Sequence, residues 1–186
     1  MNTPNRLHFA ISITAISTCI ALAGCANPTS VRWNKADDYT GRPVRVLLVS
    51  DVGAEFGDDF ASGFSRQFKT LASGCGSELD VVRIPAGDRS RVEDSPRVRS
   101  YGPDALLSVR RSGGTRHASG DLFHVTYDVR LIDMSQRKTV WRASADFYRG
   151  APVTPAGDRG TVLANDLVSQ MVEAVIWKDC GPKRSA

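Results

Sequence analysis

The sequence predicts an α/β (α+β) fold: a single two-layer domain with a mixed sheet of about five strands and two helices packed on one face. Three observations carry this. A strand, an amphipathic helix and a second strand follow one another between residues 44 and 85. Two stretches of period-two alternation flank a short polar turn between residues 123 and 147. A helix with a broad apolar face occupies residues 159–178.

The first strand is Val44-Arg45-Val46-Leu47-Leu48-Val49-Ser50, apolar in both alternating sets as an interior strand requires. Asp51, Gly53 and Gly57 mark a loop before a helix from about Asp58 to Ser73. Asp58 and Asp59 suit its N-terminus through capping and the helix dipole. Phe56, Phe60, Phe64 and Phe68 recur every four residues and Leu71 extends the row, so one wide face is expected to pack into the core. Gly74-Cys75-Gly76 ends the helix. Residues 78–85 form a second strand through Val81, Val82 and Ile84, parallel to the first because the crossover is right-handed. Residues 86–103 read as a long loop, 104–110 as a third strand, and 112–120 as a turn-rich connection. Phe123, Val125, Tyr127, Val129 and Leu131 then alternate with His124, Thr126, Asp128 and Arg130. After a turn over residues 133–137, Trp141, Ala143, Ala145 and Phe147 alternate with Arg142, Ser144 and Asp146. This is an antiparallel hairpin with its apolar face on the core and its polar face open to solvent or a partner. Residues 149–158, with two prolines and two glycines, read as a loop, and residues 181–186 as a fraying tail. In the last helix Leu163, Leu167, Met171 and Val175 run beside Ala164, Val168, Val172 and Ile176.

At the other end of the chain, Phe9–Ala23 is apolar but too short to cross a bilayer, which takes about 20 residues, and Arg6 precedes it. It closes on Leu22-Ala23-Gly24-Cys25, which resembles the lipobox of bacterial lipoproteins. The resemblance implies removal of residues 1–24, acylation of Cys25 (a palmitate-type chain among the acyl groups) and a membrane anchor held by lipid. Ala26, where an Asp would retain the protein in the inner membrane, implies the outer membrane, facing the periplasm. Residues 25–43 are then the lipidated N-terminus and tether, with Trp33 and Tyr39 docking on the body or packing loosely, and the domain spans 44–180. Of 186 residues, 162 remain after cleavage, and the formal charge of +4 becomes +3 with the loss of Arg6. That excess is too small for a nucleic-acid partner. Cys19 leaves with the signal and Cys25 carries lipid, so Cys75 and Cys180 remain in an oxidising compartment and are expected to pair; the alternative is two separate buried thiols.

No catalytic constellation is recognisable. Gly63-Phe64-Ser65-Arg66-Gln67 lacks the second glycine of a nucleophile elbow. Ser112-Gly113-Gly114-Thr115 lacks the ending of a phosphate loop and reads as a plain turn. His117 and His124 read as solvated, and no Cys/His spacing fits a metal. The expectation is a protein that is not an enzyme and holds no cofactor. One region stands out. Arg83, Arg89, Arg91, Arg97, Arg99, Arg110, Arg111 and Arg116 crowd the middle third against Asp88, Glu93, Asp94 and Asp104. Arginine suits bidentate recognition of carboxylates and phosphates. Arg89, Arg91, Arg97, Arg99, Arg110 and Arg111 are therefore candidate partner-binding residues, the alternative being a solvated loop.

Tyr127-Asp128-Val129-Arg130-Leu131-Ile132-Asp133 followed by Thr139-Val140-Trp141-Arg142-Ala143 is similar to a hairpin in outer-membrane accessory lipoproteins. That group includes the penicillin-binding-protein activator, curli-secretion and polysaccharide-export lipoproteins. The resemblance implies a non-enzymatic binding or assembly accessory of an envelope machine, with an envelope protein partner or copies of itself. An alternative is an accessory that handles lipopolysaccharide or another anionic lipid through the arginines.

Overall fold

A computed structural model describes residues 29–88, 95–116, 118, 122–148, 154–178 and 180. The signal segment, Cys25, Arg89, Arg91 and His117 lie outside the described residues. The elements follow as β1 (Thr29–Lys35), β2 (Arg45–Ser50), α1 (Asp58–Gly74), β3 (Glu78–Arg83), α2 (Pro96–Tyr101), β4 (Ala105–Arg116), β5 (Leu122–Asp133), β6 (Lys138–Tyr148) and α3 (Ala156–Glu173). Six strands form one mixed sheet in the order β1-β6-β5-β4-β2-β3. β2 is parallel to β3 and β4, and the other neighbours are antiparallel. The α/β domain with a mixed sheet is as expected, and it has one strand and one helix more than expected. No helix among the described residues is long and apolar enough to cross a membrane.

α1 and α3 pack on one face of the sheet. The Phe row of α1 is core, with Phe60, Phe64 and Phe68 fully buried. Each such side chain contributes about 1.5–3 kcal/mol by leaving water. Phe60 meets Phe147 of β6 edge-on at 5.2 Å, and Phe68 meets Trp177 at 5.9 Å. The two helices touch backbone to backbone. A Cβ on Gly63 would overlap the carbonyl of Gly157, and one on Gly160 would overlap the carbonyl oxygen of Phe60. This corrects the reading of residues 149–158 as all loop. α3 begins at Ala156 and takes Gly157 and Gly160 into the helix, and Gly160 is a glycine that the neighbouring helix requires. Beyond the helix ends Cys75 and Cys180 are joined, Sγ to Sγ 2.13 Å. The bond closes a 105-residue separation, worth at most about 4–5 kcal/mol on a chain-entropy argument.

Three further corrections concern the edges. Residues 29–35 were expected in the tether but form β1, paired along its full length with β6 from Thr29↔Phe147 to Lys35↔Trp141. Trp33 packs on the core and donates its indole N–H to Gln170 at 2.9 Å, and Tyr39 is buried. Residues 29–35 thus belong to the sheet rather than to a tether. Within the expected loop 86–103 lies α2. The Ser95 hydroxyl accepts from Val98 N–H at 3.3 Å, Pro96 opens the first turn, and Gly102 (φ 61°) ends the helix. Val98 alone is buried from α2, so no apolar period announces it. Last, Ser112-Gly113-Gly114-Thr115 is no plain turn but the far half of β4, with a register shift between Arg111 and Gly113.

The glycine contact predicts a large asymmetry. Gly160→Ala should cost at least about 2 kcal/mol by overpacking, whereas Gly74→Ala, with nothing within 4 Å of the new Cβ, should change stability by no more than about 1 kcal/mol. Urea denaturation of the two variants checks this; equal midpoints would refute the close crossing.

Candidate functional site: the open sheet face

The two sheet faces differ. On the face away from α1 and α3, α2 covers only the β3–β2–β4 corner, where Val98 meets Leu47, Val49 and Leu106. The rest of that face, from β4 across β5 and β6 to β1, carries polar side chains in register. One row is Arg32, Ser144, Asp128 and Arg110 across β1, β6, β5 and β4. The next row is Asn34, Arg142, Arg130 and Ser108. Arg130 and Arg142 thus stand directly opposite each other, a like-charge pairing that by itself destabilises a sheet.

Asp128 resolves the conflict. It accepts Arg130 Nε at 2.7 Å on one oxygen and Arg142 Nε at 3.0 Å on the other. One carboxylate cannot neutralise two guanidiniums, so the pair keeps a net positive charge. Arg32, Asn34, Ser112, Asp128, Arg130, Arg142 and Ser144 surround a hollow of about 560 Å³ above the sheet. Toward the end where β1 begins, Asp146 receives the Thr126 hydroxyl at 2.8 Å, lies 3.1 Å from His124 and pairs with Arg32 at 3.2 Å. Burial pushes the Asp146 carboxyl up, but hydrogen bonds from Thr126 and His124, with the charges of His124 and Arg32, outweigh it and hold it below the usual carboxylate range. His124 stacks on Tyr148 at 4.7 Å, so it is engaged rather than simply solvated.

Among the described residues, the candidate arginines Arg97, Arg99, Arg110 and Arg111 do not gather into one site. Arg97 pairs with Asp80, and Arg99 shares α2 with it. Arg110 donates to the carbonyl of Asp88 at 2.6 Å. Arg111 pairs with Glu55, as does Arg116 at 3.6 Å, beside a second hollow of about 320 Å³ that includes Asp51. Asp51 is buried and accepts Arg111 N–H at 2.9 Å. Burial raises its pKa, against the pull of that bond and of Arg110. Arg97, Arg111 and Arg116 thus neutralise the chain's own acids. Sequence reasoning missed Arg32 and Arg142 as a group with Arg130, because only the β1–β6–β5 register brings them together. The period-two alternation had already marked the face.

No family model and no curated protein matches the chain. Its fold is similar to that of the PelC dodecamer from Paraburkholderia phytofirmans, at 19% identity and a TM-score of 0.51 over 76% of this chain and 95% of that one. A second PelC dodecamer, a variant in another crystal form, gives 19%, 0.50, 75% and 96%. The lipoprotein GNA1162 from Neisseria meningitidis gives 20% identity, a TM-score of 0.39, and coverage of 72% and 98%. At this identity the likeness to PelC is one of fold.

The Asp128 bridge generates a salt-dependent expectation. Asp128→Ala leaves Arg130 facing Arg142 with no carboxylate between them, and the domain should lose about 1 kcal/mol at low ionic strength. Most of that loss should return in about 0.5 M salt, where charges are screened within a few ångströms. Denaturation curves at both salt levels test this; a loss that ignores salt would show that packing, not charge, is what Asp128 supplies.

Proposed function

We propose that the chain is a lipid-anchored protein of the outer membrane, facing the periplasm, that serves in several copies as a non-enzymatic binding and assembly accessory of an envelope machine. The observation that carries this is a spacing. Leu22-Ala23-Gly24-Cys25 ends four residues before Thr29, where β1 begins. Four residues span at most about 14 Å. An acyl group on Cys25 would therefore hold the domain against the membrane by the sheet end that carries Thr29 and Tyr148. The open polar face would stand beside the bilayer, accessible from the side.

Two further points support the reading. The fold is similar to that of PelC, which is a dodecamer, and this supports a reading in which copies of the chain assemble with one another. On the open face Asp128 serves both Arg130 and Arg142, so that cluster keeps a net positive charge for a partner's carboxylate to meet. Reading the middle arginines as a phosphate clamp for lipopolysaccharide draws no comparable support, since Arg97 and Arg111 are paired with Asp80 and Glu55.

Fractionation and intact mass of the expressed protein test the anchor. The mature chain should begin at Cys25, carry acyl mass and sediment with outer membrane, and Cys25→Ser should be released to the soluble fraction. An acyl-free mature chain, or an unchanged distribution of Cys25→Ser, would overturn the proposal.

A further inference from the structure

We propose that the outer edge of β1 is a docking site for an extended acidic segment of a partner protein, which adds to the sheet as a seventh strand and lays its carboxylates along Arg32 and Arg142. The inference deepens the accessory reading above and rests on it for context.

The two edges of the sheet are finished differently. On β3 the chain blunts its own edge. Glu78 and Ile84 donate their N–H groups to β2, so Val81 N–H faces outward; Asp80 caps it at 2.9 Å, and Arg97 holds Asp80. On β1 the described residues offer charge alone, Arg32 and Lys35, which repels another basic edge but not an acidic strand. β1 runs for seven residues without a proline, and its register against β6 is continuous. Natural edge strands are usually short, bulged or interrupted, because an unpaired edge is a template for another strand. Ala36 N–H donates to Val140 at 2.9 Å, so by antiparallel alternation Ser30, Arg32 and Asn34 bond to β6. Thr29, Val31, Trp33 and Lys35 turn their N–H and C=O groups outward. A regular edge left unblunted on one side of a sheet, and blunted on the other, marks the side that receives a strand.

Charge selects the occupant. On the helix side β1 presents Val31 and Trp33, both only partly buried. On the open side it presents Arg32, with a side chain 76% exposed that engages Asp146 through one terminal nitrogen, next to Arg142 at 62%, which engages Asp128 through its Nε; the remaining N–H groups of both face out. The complement is a strand that alternates apolar residues with acids. A second copy of this chain fits poorly. Antiparallel β1–β1 pairing with Val31 and Trp33 on the helix side brings the two Arg32 residues opposite or diagonal to each other. The other edge, β3, is already capped.

Fluorescence anisotropy with the full mature chain and a labelled seven-residue peptide alternating Val or Thr with Glu tests this. Saturable binding is expected. It should weaken at least about tenfold for Arg32→Glu, for the same peptide with Lys in place of Glu, and for the peptide N-methylated on alternate amides. Val31→Pro, which removes an outward N–H but no bond to β6, should do the same while amide exchange at Ser30, Arg32 and Asn34 stays protected. The N-methylated peptide keeps the test independent of any misfolding of that variant. Equal binding of the Glu and Lys peptides, no cost of N-methylation, or no binding at all would overturn the inference. So would sedimentation showing a dimer that Val31→Pro alone dissociates. None of these outcomes touches the acylation of Cys25, so the anchor stands or falls separately.

Discussion

Two helices share one face of this sheet because their backbones meet at glycine. Gly63 and Gly160 lie where each helix passes the other's carbonyls, and any side chain there would push the helices apart. The close approach lets both helices pack on one face of the sheet, α1 toward the β3 side and α3 toward the β1 side. The Phe row of α1 then reaches β6 while Leu163, Leu167 and Met171 of α3 close the same core. The Cys75–Cys180 bond fastens the two helix exits to each other at a Cα separation of 4.3 Å. Among the described residues, α2 alone covers the other face, at one corner. The open face follows from how little room the helices take.

That open face is chemically specific. Cross-strand charges usually alternate, yet here two arginines stand opposite each other and one aspartate serves both. A face built only for solubility has no use for that conflict, whereas a partner's carboxylate would relieve it. Among the described arginines of the middle third, Arg83, Arg97 and Arg111 close ion pairs with Asp58, Asp80 and Glu55 at the corners of the fold, away from that cluster. Count alone misleads about which arginines are available, and register decides.

Much of the fold was legible because its signals are periodic. The β2–α1–β3 crossover and the β5–β6 hairpin announce themselves through runs of seven or more residues with one period. The disulfide was legible through the cysteines left once Cys19 and Cys25 were assigned elsewhere. β1 escaped because its alternation rests on Val31 and Trp33 alone, amid residues that read as a linker. α2 escaped because a one-residue apolar contact leaves no period, although Ser95, Pro96 and Gly102 spelled its start and stop. The start of α3 escaped because glycine's helix cost, about 1 kcal/mol each, argued for a loop. Only the tertiary contact with α1 reverses that preference. The polar face was visible as alternation, but its focus was not. Arg32 is about 100 residues from Arg130 and Arg142, and no local pattern links them.

The account turns on the open face and its β1 edge being the working surface, with the helical layer as support. Site-specific photo-crosslinking in the intact envelope puts this to the most direct test. A crosslinker at Ser144, on the open face, should give discrete adducts to an envelope protein, and one at Thr70, on the outer side of α1, should not. Adducts that form from Thr70 and not from Ser144 would contradict it.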